Sequence, residues 1–341
     1  MFMKLFQLWG DASNTPADAA APTPAPADAA APTPTSTYAT MQLVPRIPDW
    51  PEQQIKDAFG KNADDWRRND HELVFYIMTG ACFPMTKAHM DALSLASIRR
   101  ARGTDEIERR TGFIDAMKVI SLSSSAYVEY DKGSRQIRDK GQTTYTFTAG
   151  CSDSQRIALA EIAVKQKDNI CMSLWETRRY DRTTGCYIDF PAVCAEFGNV
   201  VRNIAENYGL ADRVKIAYVC GADHASGLGL HTGGPQGGMD YVIVHNRMVN
   251  GTTSAMVSTH SCAFISTGRA VECSSTAVRD LVHTPMSDMT AEERNRCRQS
   301  LRTYLFDQQI DYIETNGVCF GNSTNQKKRD DLVRDSRKYV K

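Results

Sequence analysis

LVFYIMTGACFPMTKAH, residues Leu73 to His89, opens with six apolar positions, ends that run at Thr79 and Gly80, and breaks into a loop holding Pro84. A run with no polar alternation predicts a strand buried on both faces, which belongs to a parallel sheet covered by helices on both sides. Apolar residues at helical spacing then continue across His89 to Arg100. Strand, glycine-containing loop and helix in this order make the first half of a βαβ unit.

Working outward, the same alternation repeats. MKVISLS (Met117 to Ser123) reads as the next strand, and SDSQRIALAEIAVK (Ser152 to Lys165) as a helix with Ser152 or Asp153 at its N-cap. A short strand is expected at Ile170 to Leu174, a helix at Ala192 to Tyr208 and a strand at Val214 to Cys220. Two further strands, YVIVH (Tyr241 to His245) and CAFIS (Cys262 to Ser266), precede helices at Ser275 to Val282 and about Ala291 to Thr315. The expected fold is therefore α/β, a Rossmann-like parallel sheet flanked by helices, with a small C-terminal helical part. In such sheets ligands bind beyond the carboxyl ends of the strands where the strand order reverses. The segments after Leu73–Met78, after Val214–Val219 and before Ser275 are the places to look for chemistry.

The flanks differ in composition. The unit PADAAAPTP occurs twice, at Pro16 and Pro26, within a stretch of Ala, Pro, Thr and Asp that has little to bury. Residues 1–40 are expected to form a flexible arm, 41–320 the folded domain, with order beginning between Met41 and Trp50, and 321–341 a charged, mobile tail. Lys plus Arg and Asp plus Glu both number 40 in the 341 residues, so charge gives no case for nucleic acid as the main partner. The 10 cysteines form no CxxC pair and read as small buried hydrophobes in a reducing compartment. No apolar run approaches the ~20 residues of a membrane helix, and the start MFMKLFQLWG has neither signal-peptide nor transit-peptide form. A cytoplasmic or nuclear address is expected, with a mitochondrial one the weaker alternative.

Two short stretches carry chemistry. In GACFPMTKAH, Thr86 and His89 sit at a helix start, where backbone N–H groups and the helix dipole favour an anion. In CSSTAVR, Cys273 to Arg279, Ser274 or Ser275 can cap a helix, Thr276 adds a hydroxyl, and Arg279 follows one turn later on the same face. Hydroxyls, an imidazole and a forked guanidinium are what charge stabilisation around phosphates requires. Each stretch alone also fits an ordinary capped helix.

Together the two resemble a known family. GACFPMTKAH resembles the G-x-F-x-P-x-T-x-x-H loop, and SSTAVR the ISSTxIR signature, of nucleotidylyltransferases, most closely the nicotinamide mononucleotide adenylyltransferases. Six further stretches support that reading, among them YVIVHNRMVNG, which resembles the strand ending in T-R-x-G and offers Arg247, and DYIETNGVCF (Asp311 to Phe320), which resembles eYIexxxLY. ISLSSSAY with DKG (Ile120 to Gly133) resembles ISPvxDAY…KKG, and SQRIALAEIAV resembles HRvaMaxLA. SLWET (Ser173 to Thr177) resembles D-x-W-E-S, and VKIAYVCGADHASG (Val214 to Gly227) resembles vxLLCGaDlLeSf. The resemblance spans about Leu73 to Phe320. It departs at Ala81–Cys82–Phe83, where the family has Ser-Phe-Asn; at Leu122, where it has Pro; and at His224, where it has Leu. Extra residues separate Tyr127 from Lys132, and insertions are expected at Thr104 to Phe113, Asp131 to Ala149 and Leu230 to Met239.

The resemblance implies transfer of AMP from ATP to nicotinamide mononucleotide, or its nicotinic acid counterpart, giving NAD and pyrophosphate. It implies His89, Thr86, Arg279 and Lys132 as catalytic residues. It places Gly80, Ala81, Cys82, His89, Gly221, Asp223, Ser274, Ser275, Thr276 and Arg279 around ATP. It places Trp175, stacking on the pyridine ring, with Tyr127, Glu176, Asp223 and Arg247 around the mononucleotide. Mg²⁺ is expected to arrive on the phosphates rather than on protein side chains. The expected partners are small nucleotides, with neither nucleic acid nor membrane, and a homo-oligomer. The alternatives are another adenylyl- or cytidylyltransferase of the same superfamily, and a non-catalytic nucleotide-binding or chaperone-like protein.

Overall fold

The computed structural model describes residues 48–68, 71–98, 112–124, 127–128, 151–179, 188–230, 234–246, 262–266 and 275–320, the backbone alone at 223, 246 and 262–266. The arm expected over 1–40, the tail over 321–341, Lys132, Arg247, Ser274 and the side chain of Asp223 lie outside the described residues.

Six strands form one sheet: β1 (Glu72–Gly80), β2 (Phe113–Leu122), β3 (Ile170–Ser173), β4 (Val214–Gly221), β5 (Tyr241–Asn246) and β6 (Cys262–Ser266). Their order is β3-β2-β1-β4-β5-β6, and every neighbouring pair is parallel. The chain builds outward from β1 on one side, then returns to build outward from β4 on the other. That is the doubly wound, Rossmann-like arrangement, with its switch point between β1 and β4.

The apolar run of β1 explains why both faces are covered. Leu73, Phe75 and Ile77 face one way, into a core shared with Phe59 and Trp66 of α1 (Glu52–Arg68) and Phe197 and Val201 of α5 (Phe190–Glu206). Val74, Tyr76 and Met78 face the other way, against Met90 and Leu93 of α2 (Lys87–Leu95) and Ala160 and Ala163 of α3 (Asp153–Val164). Period-two alternation puts an apolar side chain into each layer, and each fully buried one contributes about 1.5–3 kcal/mol. Two short helices leave strand ends directly, α4 (Trp175–Arg178) after β3 and α6 (Ala222–Gly227) after β4. A third core joins α7 (Ser275–Leu281), α8 (Ala291–Leu301) and α9 (Asp307–Thr315) to Ala81 and Phe83, at the carboxyl end of β1.

The differences from expectation have local causes. The helix expected through Arg100 ends at Leu95: Ala96 takes ψ 121, and the N–H of Ile98 turns in to the Tyr76 hydroxyl at 3.0 Å. The strand expected from Met117 begins at Phe113, within the region read as an insertion. The helix expected from Ala192 begins at Phe190, because the Asp189 carboxylate caps the Phe190 N–H at 2.8 Å and Pro191 suits a first turn. The single helix expected over Ala291–Thr315 is two. Phe306 adopts an extended conformation, its N–H bonded to the Gln309 side chain, and the Tyr304 carbonyl is turned out to accept the Lys87 N–H. Helix α1 has no counterpart in the sequence reading. The Gly-rich stretch before β5 packs on α5: Gly238 has φ +76, and a Cβ there would fall 2.3 Å from the Ala195 Cα. The helices read at Ser152–Lys165 and Ser275–Val282 stand within a residue of their expected ends, the first with Ser152 as N-cap. Among the described residues no helix is long and apolar enough to cross a membrane.

Candidate functional site

The loop from Gly80 to Thr86 leaves β1 at the switch point and has no regular structure of its own. Its shape is imposed by four side chains from distant parts of the chain. The Ala81 carbonyl accepts from Arg156 of α3 at 3.0 Å, and the Phe83 carbonyl from Arg279 of α7 at 2.5 Å. The Pro84 carbonyl accepts from the Ser275 hydroxyl at 2.8 Å, and the Met85 carbonyl from the Gln309 amide of α9 at 3.0 Å. In a trans peptide the next N–H points away from the carbonyl, so the N–H groups of Cys82 and Met85 point away from the side chains that hold the Ala81 and Pro84 carbonyls. Cys82 takes φ +41, a left-handed conformation that costs a non-glycine residue about 1–2 kcal/mol and is sustained by these anchors.

Thr86 caps α2 and is fully buried, so it holds rather than faces solvent. Its N–H donates to Nδ1 of His89 at 3.1 Å, and its hydroxyl lies 2.8 Å from the same nitrogen. A backbone N–H can only donate, so Nδ1 accepts and Nε2 carries the ring proton in the neutral imidazole. His89 is half-buried and has a fixed tautomer with Nε2–H as its donor. The helix start is less open than the sequence implies: the Lys87 N–H goes to the Tyr304 carbonyl at 2.8 Å.

Arg279 is buried. Besides Phe83 it reaches Thr276 Oγ1 at 2.9 Å. These contacts use two of a guanidinium's five N–H donors. The hydroxyls of Ser275 and Thr276 are thus engaged with the loop and with Arg279, and α7 braces the loop. Tyr127 is half-buried against the same core, its N–H on the Ser124 hydroxyl at 3.2 Å. Gly221 caps α6 at the end of β4.

On the other side of β2, Glu176 is buried in α4 and accepts from the Ser121 hydroxyl at 3.1 Å. Burial pushes its carboxyl up to about 7; hydrogen bonds from Ser123 and Ser121 and the charge of Arg156 oppose the rise. Trp175 is half-buried and stacks on Trp50, ring centroids 5.5 Å apart, with the Arg179 guanidinium 5.4 Å from its ring. Trp50 thus covers one face of the indole that the resemblance assigns to a pyridine ring, and the ring remains half-exposed.

Three groups went unnoticed in the sequence. Arg156 reads there as part of a packing helix, yet it is the largest fully buried side chain and ties the Ala81 carbonyl to that of Ser123, 2.7 Å away. Gln309 is fully buried and ties Met85 to Leu159. Tyr218 of β4 is buried against Phe190, its hydroxyl 3.3 Å from Thr79 of β1 and 3.2 Å from Nε2 of His224, and burial keeps that hydroxyl protonated. An Arg or Gln within an apolar helical pattern was the available signal for the first two.

No protein-family model and no curated protein matches the chain. Among solved structures it is similar to Plasmodium falciparum nicotinic acid mononucleotide adenylyltransferase complexed with APC, at 10% identity and TM-score 0.39, covering 72% of this chain and 96% of that one. The same enzyme complexed with NaAD gives 11% identity and TM-score 0.36, covering 71% and 95%. At that identity and superposition neither likeness carries an argument about activity.

Proposed function

We propose that this protein transfers AMP from ATP to a pyridine mononucleotide, nicotinamide mononucleotide or its nicotinic acid counterpart, releasing pyrophosphate and forming the dinucleotide. One observation carries the reading. Gly80–His89 and Ser275–Arg279, some 190 residues apart in the chain, meet at the switch point, where Ser275 and Arg279 hold the carbonyls of Pro84 and Phe83. Two phosphate-type stretches joined at the carboxyl end of β1 support a nucleotide site there.

In this reading the 5′-phosphate of the mononucleotide attacks the α-phosphorus of ATP in line, the new P–O bond forms as the bond to pyrophosphate breaks, and no protein nucleophile takes part. The protein positions two anions and screens their repulsion. His89 donates from Nε2 to a phosphate oxygen. Arg279 supplies buried positive charge beneath the loop and fixes its shape, with Lys132 as a further cation by resemblance. The loop's donors are N–H groups and cations, which suit phosphate oxygens rather than a metal ion. Mg²⁺ therefore enters as part of the ATP substrate.

The test is pyrophosphate and dinucleotide production from ATP, Mg²⁺ and each mononucleotide, by wild-type protein and His89→Ala. Turnover that disappears in the variant supports the reading. Folded protein that binds ATP yet transfers AMP to neither acceptor sinks it, and transfer to a different phosphate acceptor would move the protein elsewhere in the superfamily.

A further inference from the structure

A four-residue helix has no stability of its own, because nucleation fixes several residues for very few hydrogen bonds. Helix α4 must therefore be held by its surroundings, and each of its residues is. The Thr177 hydroxyl donates to the Leu122 carbonyl at 2.6 Å, and Glu176 accepts from Ser121. The other two residues are held by Asp49 and Trp50, which precede α1 and lie outside the stretch that carries the family resemblance. The Asp49 carbonyl accepts from the Trp175 N–H at 3.1 Å and from the Ser173 hydroxyl. The Asp49 carboxylate pairs with Arg178 and lies 3.5 Å from Arg179, the cation that sits over the Trp175 ring. Trp50 is 4% exposed and sandwiched, stacked on Trp175 at 5.5 Å and on Phe197 of α5 at 5.3 Å. The segment thus joins the end of β3 to α5 and sets where the Trp175 indole and the Arg179 guanidinium stand.

We infer that Asp49 and Trp50 are positioning residues for the pyridine-ring half of the site, fixing Trp175 and Arg179 for the mononucleotide while leaving the ATP half untouched. The inference rests on the proposed transferase reading. Both residues sit at the end of β3, two strands away from the loop after β1, so the effect should fall on KM for one substrate alone.

The experiment is steady-state kinetics with both substrates varied, for wild type, Trp50→Phe, Asp49→Asn and, as a control, Phe59→Leu. The control disturbs the same core from α1 without touching Trp175. Asp49→Asn keeps the backbone carbonyl and removes only partly exposed ion pairs, so it should fold even if a Trp50 variant does not. We expect KM for the mononucleotide to rise about 2- to 10-fold in Trp50→Phe, on the scale of one aromatic pair, and about 2-fold in Asp49→Asn. KM for ATP and kcat should stay within about 2-fold of wild type, and Phe59→Leu should show no such split. Wild-type turnover with both KM values moving together, or neither moving, overturns the positioning role and leaves the transferase reading intact. Absence of AMP transfer by wild type overturns the transferase reading, and the positioning role falls with it.

Discussion

The loop after β1 and the turn after β3 solve the same problem by different means. Both are short segments at the carboxyl edge of the sheet with no internal structure sufficient to hold them. The loop is pinned by directional hydrogen bonds from Arg156, Ser275, Arg279 and Gln309, all following it in the chain. The turn has hydrogen bonds too, to the Leu122 and Asp49 carbonyls, but adds from the other direction the Trp50 stack and the Asp49 ion pairs. Hydrogen bonds fix the loop's peptide planes, which on the proposed reading suits a segment aiming an imidazole at phosphate oxygens. Stacking fixes a plane but tolerates sliding, which on the proposed reading suits a platform for the pyridine ring. The loop should accordingly govern rate and the turn should govern affinity.

The largest expected effect tests the loop. His89→Ala removes one preorganised donor and should lower kcat by about 10²–10³-fold with KM for either substrate little changed, as measured by initial rates of pyrophosphate release. A loss under about threefold in folded protein would take His89 out of the chemistry. The next effect concerns the join between the two regions. Glu176, with its carboxyl raised to about 7 from 4.5, holds its proton in the folded state across a window where the unfolded chain has lost it. The folded state binds more protons there, so stability falls as pH rises from about 4.5 to 7 and levels off above. Glu176→Gln should abolish that slope, raising stability at pH 8 by at most about 3 kcal/mol and changing little at pH 4.5. Thermal melts of both proteins across pH check it, and parallel curves would show that the carboxyl does not titrate as its burial demands.

Trp175→Ala tests the turn. It should raise KM for the mononucleotide by a stacking contribution of about 1–3 kcal/mol while kcat holds. A fall in kcat with KM unchanged would merge the two regions into one functional element.

What could be read from the sequence follows the same division. Six strands and the approximate helices were legible because burial on both faces leaves continuous apolar runs, as in Leu73–Met78. The loop stood out because Gly80, Pro84, Thr86 and His89 gather in one short stretch after an apolar run. Two of its four anchors were not: Arg156 and Gln309 act through space on carbonyls 75 and 224 residues away, and nothing local marks a buried donor as aimed at one carbonyl rather than another. Trp50 was unreadable for the same reason. Its partner Trp175 is distant in sequence, and two stacked indoles leave no periodic trace. The break at Phe306 was hidden because Ala291–Thr315 is rich in good helix formers. What ends α8 is a tertiary demand, the Tyr304 carbonyl turned to the start of α2.

The smallest expected effect sharpens the account of the loop. Cys82 stands where the resembling family has Phe between Ser and Asn, and it holds φ +41 without being glycine. If the four carbonyl anchors impose this conformation, the strain is already offset by them, and Cys82→Gly relieves it at the cost of greater freedom in the unfolded chain. The two effects oppose each other, each on the order of 1 kcal/mol. Net stability in denaturant titration should therefore move by less than about 1 kcal/mol, and kcat by less than about threefold. If instead the loop's own covalent preferences fix its shape, glycine would loosen it, and the rate would fall towards that of His89→Ala while stability stayed unchanged. The comparison of those two variants thus separates a loop that is rigid by itself from one that is rigid because Arg156, Ser275, Arg279 and Gln309 hold it, and the contacts favour the second.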